Sequence, residues 1–330
     1  MTMTRSRALL GEDMQAVRAM YEGDQPRELI EGWLREHGYT HTWDSLRHLA
    51  NNQSPPWRRS RGPVSGIPAP HVTRWTEAPR IKQDCLLLLD AHVPYHDPRF
   101  IEQACGVATA WGIRRVVMDE DGFDVNWLSW WERDEIPADA EIRAWDDLAA
   151  ALLDRFEDGI DIHAGNHGER IRRAVRNMSE DGKAILGLIV GEKVPIEALY
   201  IKDERMRLTP YHYVRVYDVL VGHPSATGTN VGQYVAETYD TDCVLGHTHY
   251  RSITWDRADR HVAVECGGCF DPKKLRYISC RLPARARGRQ RQGAAIVKMG
   301  DDGHSHIYLL TPRTDWEAMK RMYSPALSQE

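Results

Sequence analysis

Gly165-Asn166-His167 stands between a short apolar run, Gly159 to His163, and a stretch of helical character that opens at Glu169. An Asn and a His at such a strand-to-helix turn sit where α/β folds present ligands, at the carboxyl ends of strands. Three residues recur by chance, so the weight comes from four partners. Asp90-Ala91-His92 ends the apolar run Cys85 to Leu89, and Asp121 with Asp124 follows Arg115 to Met118. His223 follows Val219 to Gly222, and Gly246-His247-Thr248-His249 follows Cys243 to Leu245. Each time a short run of buried-strand type closes on Asp, Asn or His. Carboxylate oxygen and imidazole nitrogen are ligands for hard and borderline divalent cations. Several of them gathered at one sheet edge suit a site for two metal ions.

In order and in strand context, these motifs resemble the calcineurin-like metallophosphoesterase superfamily, whose pattern is D-x-H, G-D-x-x-[DN], G-N-H-[DE], a lone His and G-H-x-H. The resemblance covers roughly residues 81 to 275. It implies two mixed sheets face to face with helices outside, an α/β/β/α sandwich of four layers. It also implies a ligand set of two divalent cations: Asp90, His92 and His249 on the first, Asn166, His223 and His247 on the second, and Asp121 bridging both. Asp119 is the alternative bridge, but Asp121 keeps the spacing to Asp124 intact; His212 is the alternative to His223, but His223 ends the apolar run. Asp124 is expected behind the ligands. His167 is expected to stabilise or protonate the leaving oxygen, and Arg170 to contact the substrate phosphate.

Three departures from the pattern matter. Glu120 replaces the Gly before Asp121, and Gly168 replaces the acid after His167, with Glu169 one place later as its possible substitute. The Arg-Gly that follows the second motif in protein phosphatases is missing, since Val125-Asn126-Trp127 stand there, which argues against a protein Ser/Thr phosphatase. The chemistry expected is that of a phosphoesterase. Phosphate esters resist attack because their oxygens are already negative, and two cations about 3.5–4 Å apart neutralise them, acidify a water and hold the group in line. These ligands accept Mn²⁺, Fe, Zn²⁺ or Ni²⁺, with Mn²⁺ the first expectation.

The rest of the chain must position these residues. Its 330 residues allow a large domain and a small one, and 42% hydrophobic with 28% charged residues is ordinary for a globular chain. A net charge of −5 gives no global pull toward nucleic acid, but the basic residues cluster locally. No run approaches the roughly 20 apolar residues of a membrane span, and the start, Met1 to Arg5, has no apolar core of a secretory signal. Six cysteines do not read as a disulfide framework, so reduced thiols and a cytoplasmic protein are expected. Cys266-Gly-Gly-Cys269 lacks a second ligand pair and is read as a turn.

Residues 1–54 read as a small helical unit. Its helices are expected near Glu12 to Tyr21, from a cap at Asp24 with Pro26 in the first turn to Gly38, and from a cap at Thr42 to Asn51. Three short helices with a Gly-containing turn before the last resemble a helix-turn-helix DNA-binding unit, with Arg47 on the helix that would face a groove; a helical cap on the catalytic domain is the other reading. Residues 55–80, rich in Pro, read as a linker carrying Arg58 and Arg59. Residues 81–330 alternate strand and helix, as an α/β domain does. Trp127, Trp130 and Trp131 are expected to wall the cleft or fill the core. Residues 179–207 read as an exposed region whose run Ile185 to Val190 fits a helix or a strand alike. Tyr211 to Val221 reads as one long strand. Segments near Ser252–Trp255, His261–Val264, Tyr277–Cys280, Ala294–Lys298 and Ile307–Leu310 read as strands of a second sheet. Arg281 to Gln292, with Arg285, Arg287 and Arg289, offers phosphate contacts or a solvated hairpin tip. The helical front end and the basic segments favour nucleic-acid phosphodiesters as substrate, hence a phosphodiesterase or nuclease. The rivals are a small-molecule phosphomonoesterase and a DNA-binding scaffold with a vestigial metal site.

Overall fold

Alternation decides where each strand's side chains go. In β2 (Cys85–Leu88) and the residue after it, Leu86 and Leu88 enter one apolar core while Cys85, Leu87 and Leu89 enter another. Val116 and Met118 of β3 (Arg115–Asp119) join the first core and Val117 the second. A strand buried on both faces reads as a continuous apolar run, which is why these two carry no polar interruption before their ends. This computed structural model describes residues 9, 11–23, 25–53, 57, 78–129, 136–191, 195–228, 230–275 and 290–323.

The chain divides into two compact units, Met1–Arg74 and Trp75–Glu330. The first contains α1 (Gly11–Glu22), α2 (Arg27–Glu36) and α3 (Trp43–Asn51) around its own core, which includes Val17, Tyr21, Ile30, Leu34, Leu46 and Ala50. Thr42 caps α3 by accepting from Ser45 N (3.3 Å). Pro26 precedes α2, and the proposed cap Asp24 lies outside the described residues. Trp57, assigned to the linker by sequence, is buried in this core, and its amide donates to Ala50 O (3.0 Å).

The second unit holds two six-stranded sheets. One has the order β12-β11-β2-β3-β4-β5, with β4 (Gly159–His163), β5 (Met206–Thr209), β11 (Ala294–Met299) and β12 (Ser305–Leu310). Within it β2, β3, β4 and β5 run parallel. The other has the order β1-β6-β7-β8-β10-β9, with β1 (Arg80–Ile81), β6 (Tyr213–Val216), β7 (Val219–Gly222), β8 (Cys243–Leu245), β9 (Arg251–Trp255) and β10 (Val262–Cys266). Leu87, Val117, Val221, Val244 and Val264 fill the layer between the sheets. The outer core lies under α4 (Pro98–Ala110) and α5 (Ala138–Leu153), and α9 (Val231–Tyr239) covers the far sheet with Val231, Val235 and Ala236. This is the four-layer α/β/β/α sandwich. A one-residue slip of β2 would exchange its two core faces and pull Asp90 off the sheet edge, so burial fixes the register that positions the site.

Three sequence expectations change. Tyr211 to Val221 is not one strand: β6 and β7 form an antiparallel hairpin with Val216 opposite Val219. The late strands do not form a sheet of their own. β9 and β10 pair with each other beside β8, while β11 and β12 extend the sheet of β2. The ambiguous stretch is helical, as α7 (Glu180–Val190) and α8 (Pro195–Tyr200). Tyr277–Cys280, Trp130, Trp131, Arg58, Arg59, Arg285, Arg287 and Arg289 lie outside the described residues.

Candidate metal centre

Five strand ends deliver the site. Asp90 and His92 follow β2, Asp121 follows β3, and Asn166 opens α6 (Asn166–Arg176) after β4. His223 follows β7, and His247 and His249 follow β8. Asp90, His92, His247 and His249 all take positive φ, between 48° and 78°. For residues other than Gly this costs on the order of 1–3 kcal/mol each, and strain of that kind gathers at functional sites.

Donor atoms from these residues fall into two touching sets. In the first, His92 Nε2 lies 2.9 Å from His249 Nε2, and Asp90 Oδ1 lies 3.4 Å from His249 Nε2 and 3.8 Å from His92 Nε2. In the second, Asn166 Oδ1 lies 2.7 Å from His223 Nε2 and 3.0 Å from His247 Nδ1, with the two imidazole nitrogens 3.0 Å apart. Asp121 Oδ2 lies 3.5 Å from His223 Nε2, and Asp90, Asp121 and His223 have ligand atoms all within 4.8 Å of one another. Asp121 therefore stands between the sets.

Several groups hold the donors in place. His92 Nδ1 donates to Asp124 Oδ1 (2.9 Å) and His223 Nδ1 to Asp119 Oδ2 (3.1 Å), so each Nε2 faces inward. Asp119 also accepts from Asp90 N (3.0 Å). It is thus occupied away from the centre, which separates it from Asp121, its rival for the bridging position. His212, the rival of His223, contributes only its carbonyl, which accepts from His223 N (2.9 Å). His163, buried behind the turn, donates Nδ1–H to Ala164 O (3.2 Å), and burial pushes its pKa down to about 4. Trp127 packs at the edge of the outer core.

The electrostatics describe a site short of positive charge. Burial, then the neighbouring Asp119 and Asp90 carboxylates, push Asp121 up to about 7 against the opposing imidazoles. Burial alone would raise Asp90 too, but His249, His92 and His223 hold it well below the ordinary carboxylate range. Burial opposes charge on His92 and His223, yet Asp124 and Asp90 lift the first to about 10, and Asp121 and Asp119 the second to about 9. His247 is pushed down to about 4 by burial and by His223. Two ring nitrogens 2.9 Å apart, His92 and His249, need a proton or a cation between them. Asp90 Oδ1 is buried without a hydrogen-bond partner, and such an orphan calls for an explanation. Carboxylate, amide oxygen and imidazole donors crowded together in both sets, with Asp90 Oδ1 orphaned in the first, fit divalent cations.

The turn of His167 carries a hydrogen-bond network of its own. Its Nδ1–H donates to Phe123 O (3.1 Å), while its Nε2 accepts from the Arg170 guanidinium (2.8 Å). Burial, then the charges of His92 and Arg170, hold it neutral, well below the usual imidazole range. Arg170 also donates to Asp124 O (2.8 Å). Glu169 does not orient His167; it pairs with Arg172 (3.2 Å) and Arg176 (3.7 Å) instead. The space at position 168 is filled by another carboxylate. Glu120, fully buried, accepts from Gly165 N (3.1 Å) and is gripped by both Arg172 nitrogens. A Cβ at Gly168 would overlap the Glu120 carboxylate, and one at Gly165 would overlap Asp121. Positions 120 and 168 are thus sterically linked: the Glu120 side chain, just after β3, occupies the space that a side chain at position 168 on α6 would need. Sequence reading missed Asp119 and Glu120 as holding groups; their signal was two further acids beside Asp121 at the end of an apolar strand.

Outside this centre, Cys266 and Cys269 are buried free thiols bonded to the carbonyls of Leu245 (3.5 Å) and Gly293 (3.6 Å), as a turn requires and a zinc site does not. Among the described residues no helix is long and apolar enough to cross a membrane. No family model matches this chain, and no curated protein does. Among solved structures it is similar to a cold-active protein-tyrosine phosphatase of a psychrophilic Shewanella species, at TM-score 0.30 and 10% identity over 71% of this chain and 82% of that one. It is also similar to Chaetomium thermophilum Vps29, at TM-score 0.28 and 8% identity over 69% and 94%. Likeness at this level carries no argument about activity.

Proposed function

We propose that this chain is a phosphoesterase that holds two divalent cations, Mn²⁺ first among them. Asp90, His92 and His249 would hold one, Asn166, His223 and His247 the other, with Asp121 between. The observation that supports this is the crowding of donor atoms in both sets: the Nε2 atoms of His92 and His249 lie 2.9 Å apart beside the unpartnered Asp90 Oδ1, and Asn166 Oδ1, His223 Nε2 and His247 Nδ1 lie within 3.0 Å of one another. When bound, such a pair neutralises the phosphoryl oxygens and lowers the pKa of water.

The remaining work belongs to the chain's own side chains. Asp124 and Asp119 fix the ring orientation of His92 and His223. His167 stays neutral and aims Arg170, whose guanidinium offers a fixed positive charge to a phosphoryl or leaving oxygen. Arg170 thereby takes over the leaving-group role that the sequence assigned to His167. Glu120 and Arg172 hold the Gly165-Asn166-His167 turn.

Among phosphate esters, we take nucleic-acid diesters as the substrate class, on the strength of the basic segments and of Arg47, exposed on α3. The test compares an aryl phosphodiester with an aryl phosphomonoester, using protein stripped of metal and refilled with Mn²⁺. Diester turnover that disappears in Asp121→Asn and His249→Ala is the expected result. Preference for the monoester would turn the reading to a small-molecule phosphatase, and no metal-dependent turnover of either would count against an enzyme.

A further inference from the structure

We infer that Arg251, Arg291 and Arg313 form a contact surface for the sugar–phosphate backbone of a nucleic acid on the rim of the metal centre beside His249. Three parts of the chain converge there. Arg291 N donates to His249 O (2.8 Å), which ties residue 291 to the site loop. Arg251 opens β9 two residues after His249, and its guanidinium donates to Gln292 O (2.9 Å), so it leans onto the same segment. Arg313 arrives by register: Ala294 pairs with Leu310 in the antiparallel β11–β12 ladder, so position 291 before β11 and position 313 after β12 leave the sheet on the same side.

Charge is what these three side chains bring together. Many described arginines of the second unit have carboxylate partners, as Arg172 has Glu120 and Arg205 has Asp203. Among the described residues, none of these three forms an ion pair with a carboxylate. Burial lowers the pKa of Arg251, and among the described residues the charges of Arg291 and Arg313 lower it further. Like charges brought together without a counter-charge are destabilising until an anion meets them, and Arg291 and Arg313 are exposed to do so. A small monoester has one phosphate, which the metal centre itself would engage. Cations set outside the centre serve a substrate with further phosphates along its chain. Residues 276–289, outside the described residues, add five arginines and no acid to this part of the sequence.

The inference rests on the phosphoesterase reading for its catalytic consequence but not for binding, so the experiment reads the two separately. The full chain, stripped of metal so that nothing is cleaved, is titrated into a fluorescein-labelled oligonucleotide at several salt concentrations. The same preparations, refilled with Mn²⁺, are assayed on the aryl phosphodiester. The double variant R291A/R313A removes only exposed side chains, and thermal melting checks its fold; R251Q is the second variant. The expected result is binding that weakens with salt, with a log–log slope that falls by about one for each arginine removed, while aryl-ester turnover stays at the wild-type level. An unchanged slope in the double variant, or no salt-dependent binding by the wild type, would overturn the inference. A wild type that cleaves no aryl ester, with the slope still reduced in the variant, would overturn the phosphoesterase reading and leave the surface standing.

Discussion

Three adjacent acids at the end of β3 do three different jobs, and only their surroundings tell them apart. Asp119 spends its oxygens on Asp90 N and His223, Asp121 faces the donor sets, and Glu120 turns back into the α6 turn. The strand-end residues themselves were legible: an apolar run closing on Asp, Asn or His needs only a period of two and a length. Glu120 was not, because its partners are Gly165 N and Arg172, far along the chain, and its space exists only because Gly168 has no side chain. That gives a coupled prediction. Truncating Glu120 to Ala should destabilise the fold by about 1–3 kcal/mol, since Gly165 N loses its buried acceptor and Arg172 keeps only Glu169. Gly168→Ala should also destabilise, by overlap with the carboxylate. The double variant should then be more stable than the sum of the two losses, because the overlap has gone, with a coupling of about 0.5–3 kcal/mol. Urea unfolding of the four proteins measures it, and simple additivity would contradict the account. A gentler change at this scale is Asp119→Asn, which leaves every proposed ligand in place. It should weaken metal binding by about 10–100-fold, as loss of a group that orients a ligating His does, and calorimetry reads the change.

Among the elements, the misread hairpin has a plain cause. β6 and β7 are joined through Tyr217-Asp218, with Tyr217 at φ 56°. Two-residue hairpin turns favour Asn-Gly or Gly-containing pairs, and neither is present, so the run looked continuous. A tertiary contact compensates: Tyr217 hydroxyl donates to Asp84 Oδ1 (2.9 Å). Sheet membership of β11 and β12 was equally hidden, because antiparallel pairing to β2 depends on contacts across about 200 residues of chain that no local pattern encodes. The link between α5 and the loop after β3 carries a pH prediction. Glu141 accepts from the amide of Val125, itself at φ 50°. Burial, then the Asp124 charge, push Glu141 up from 4.5 to about 8. A carboxyl that keeps its proton longer in the folded state stabilises fully below about 4.5, and that contribution is lost as pH climbs through about 8. Melting temperatures of wild type and Glu141→Gln should therefore converge at low pH and diverge in favour of the variant across this window. A constant difference would show that Glu141 does not titrate there.

For the whole molecule, the alternation of strand and helix was enough to anticipate an α/β domain, while the four layers were expected only from the resemblance its motifs carry. The two units each bury a core of their own. A chain starting at Trp75 should accordingly fold and retain Mn²⁺-dependent turnover of the aryl ester within about threefold of the full chain, a change below 1 kcal/mol in barrier; loss of turnover with the fold intact would make the helical unit part of the catalytic machinery. The central claim, however, concerns the two donor sets, and metal stoichiometry tests it most directly. Full-length protein stripped of metal is titrated with Mn²⁺ by calorimetry, with His249→Ala beside it. The account predicts two ions bound per wild-type chain and one per variant chain, since His249 belongs to only one set. Wild-type protein that binds no Mn²⁺, or a variant that still binds both ions with unchanged affinity, would contradict it.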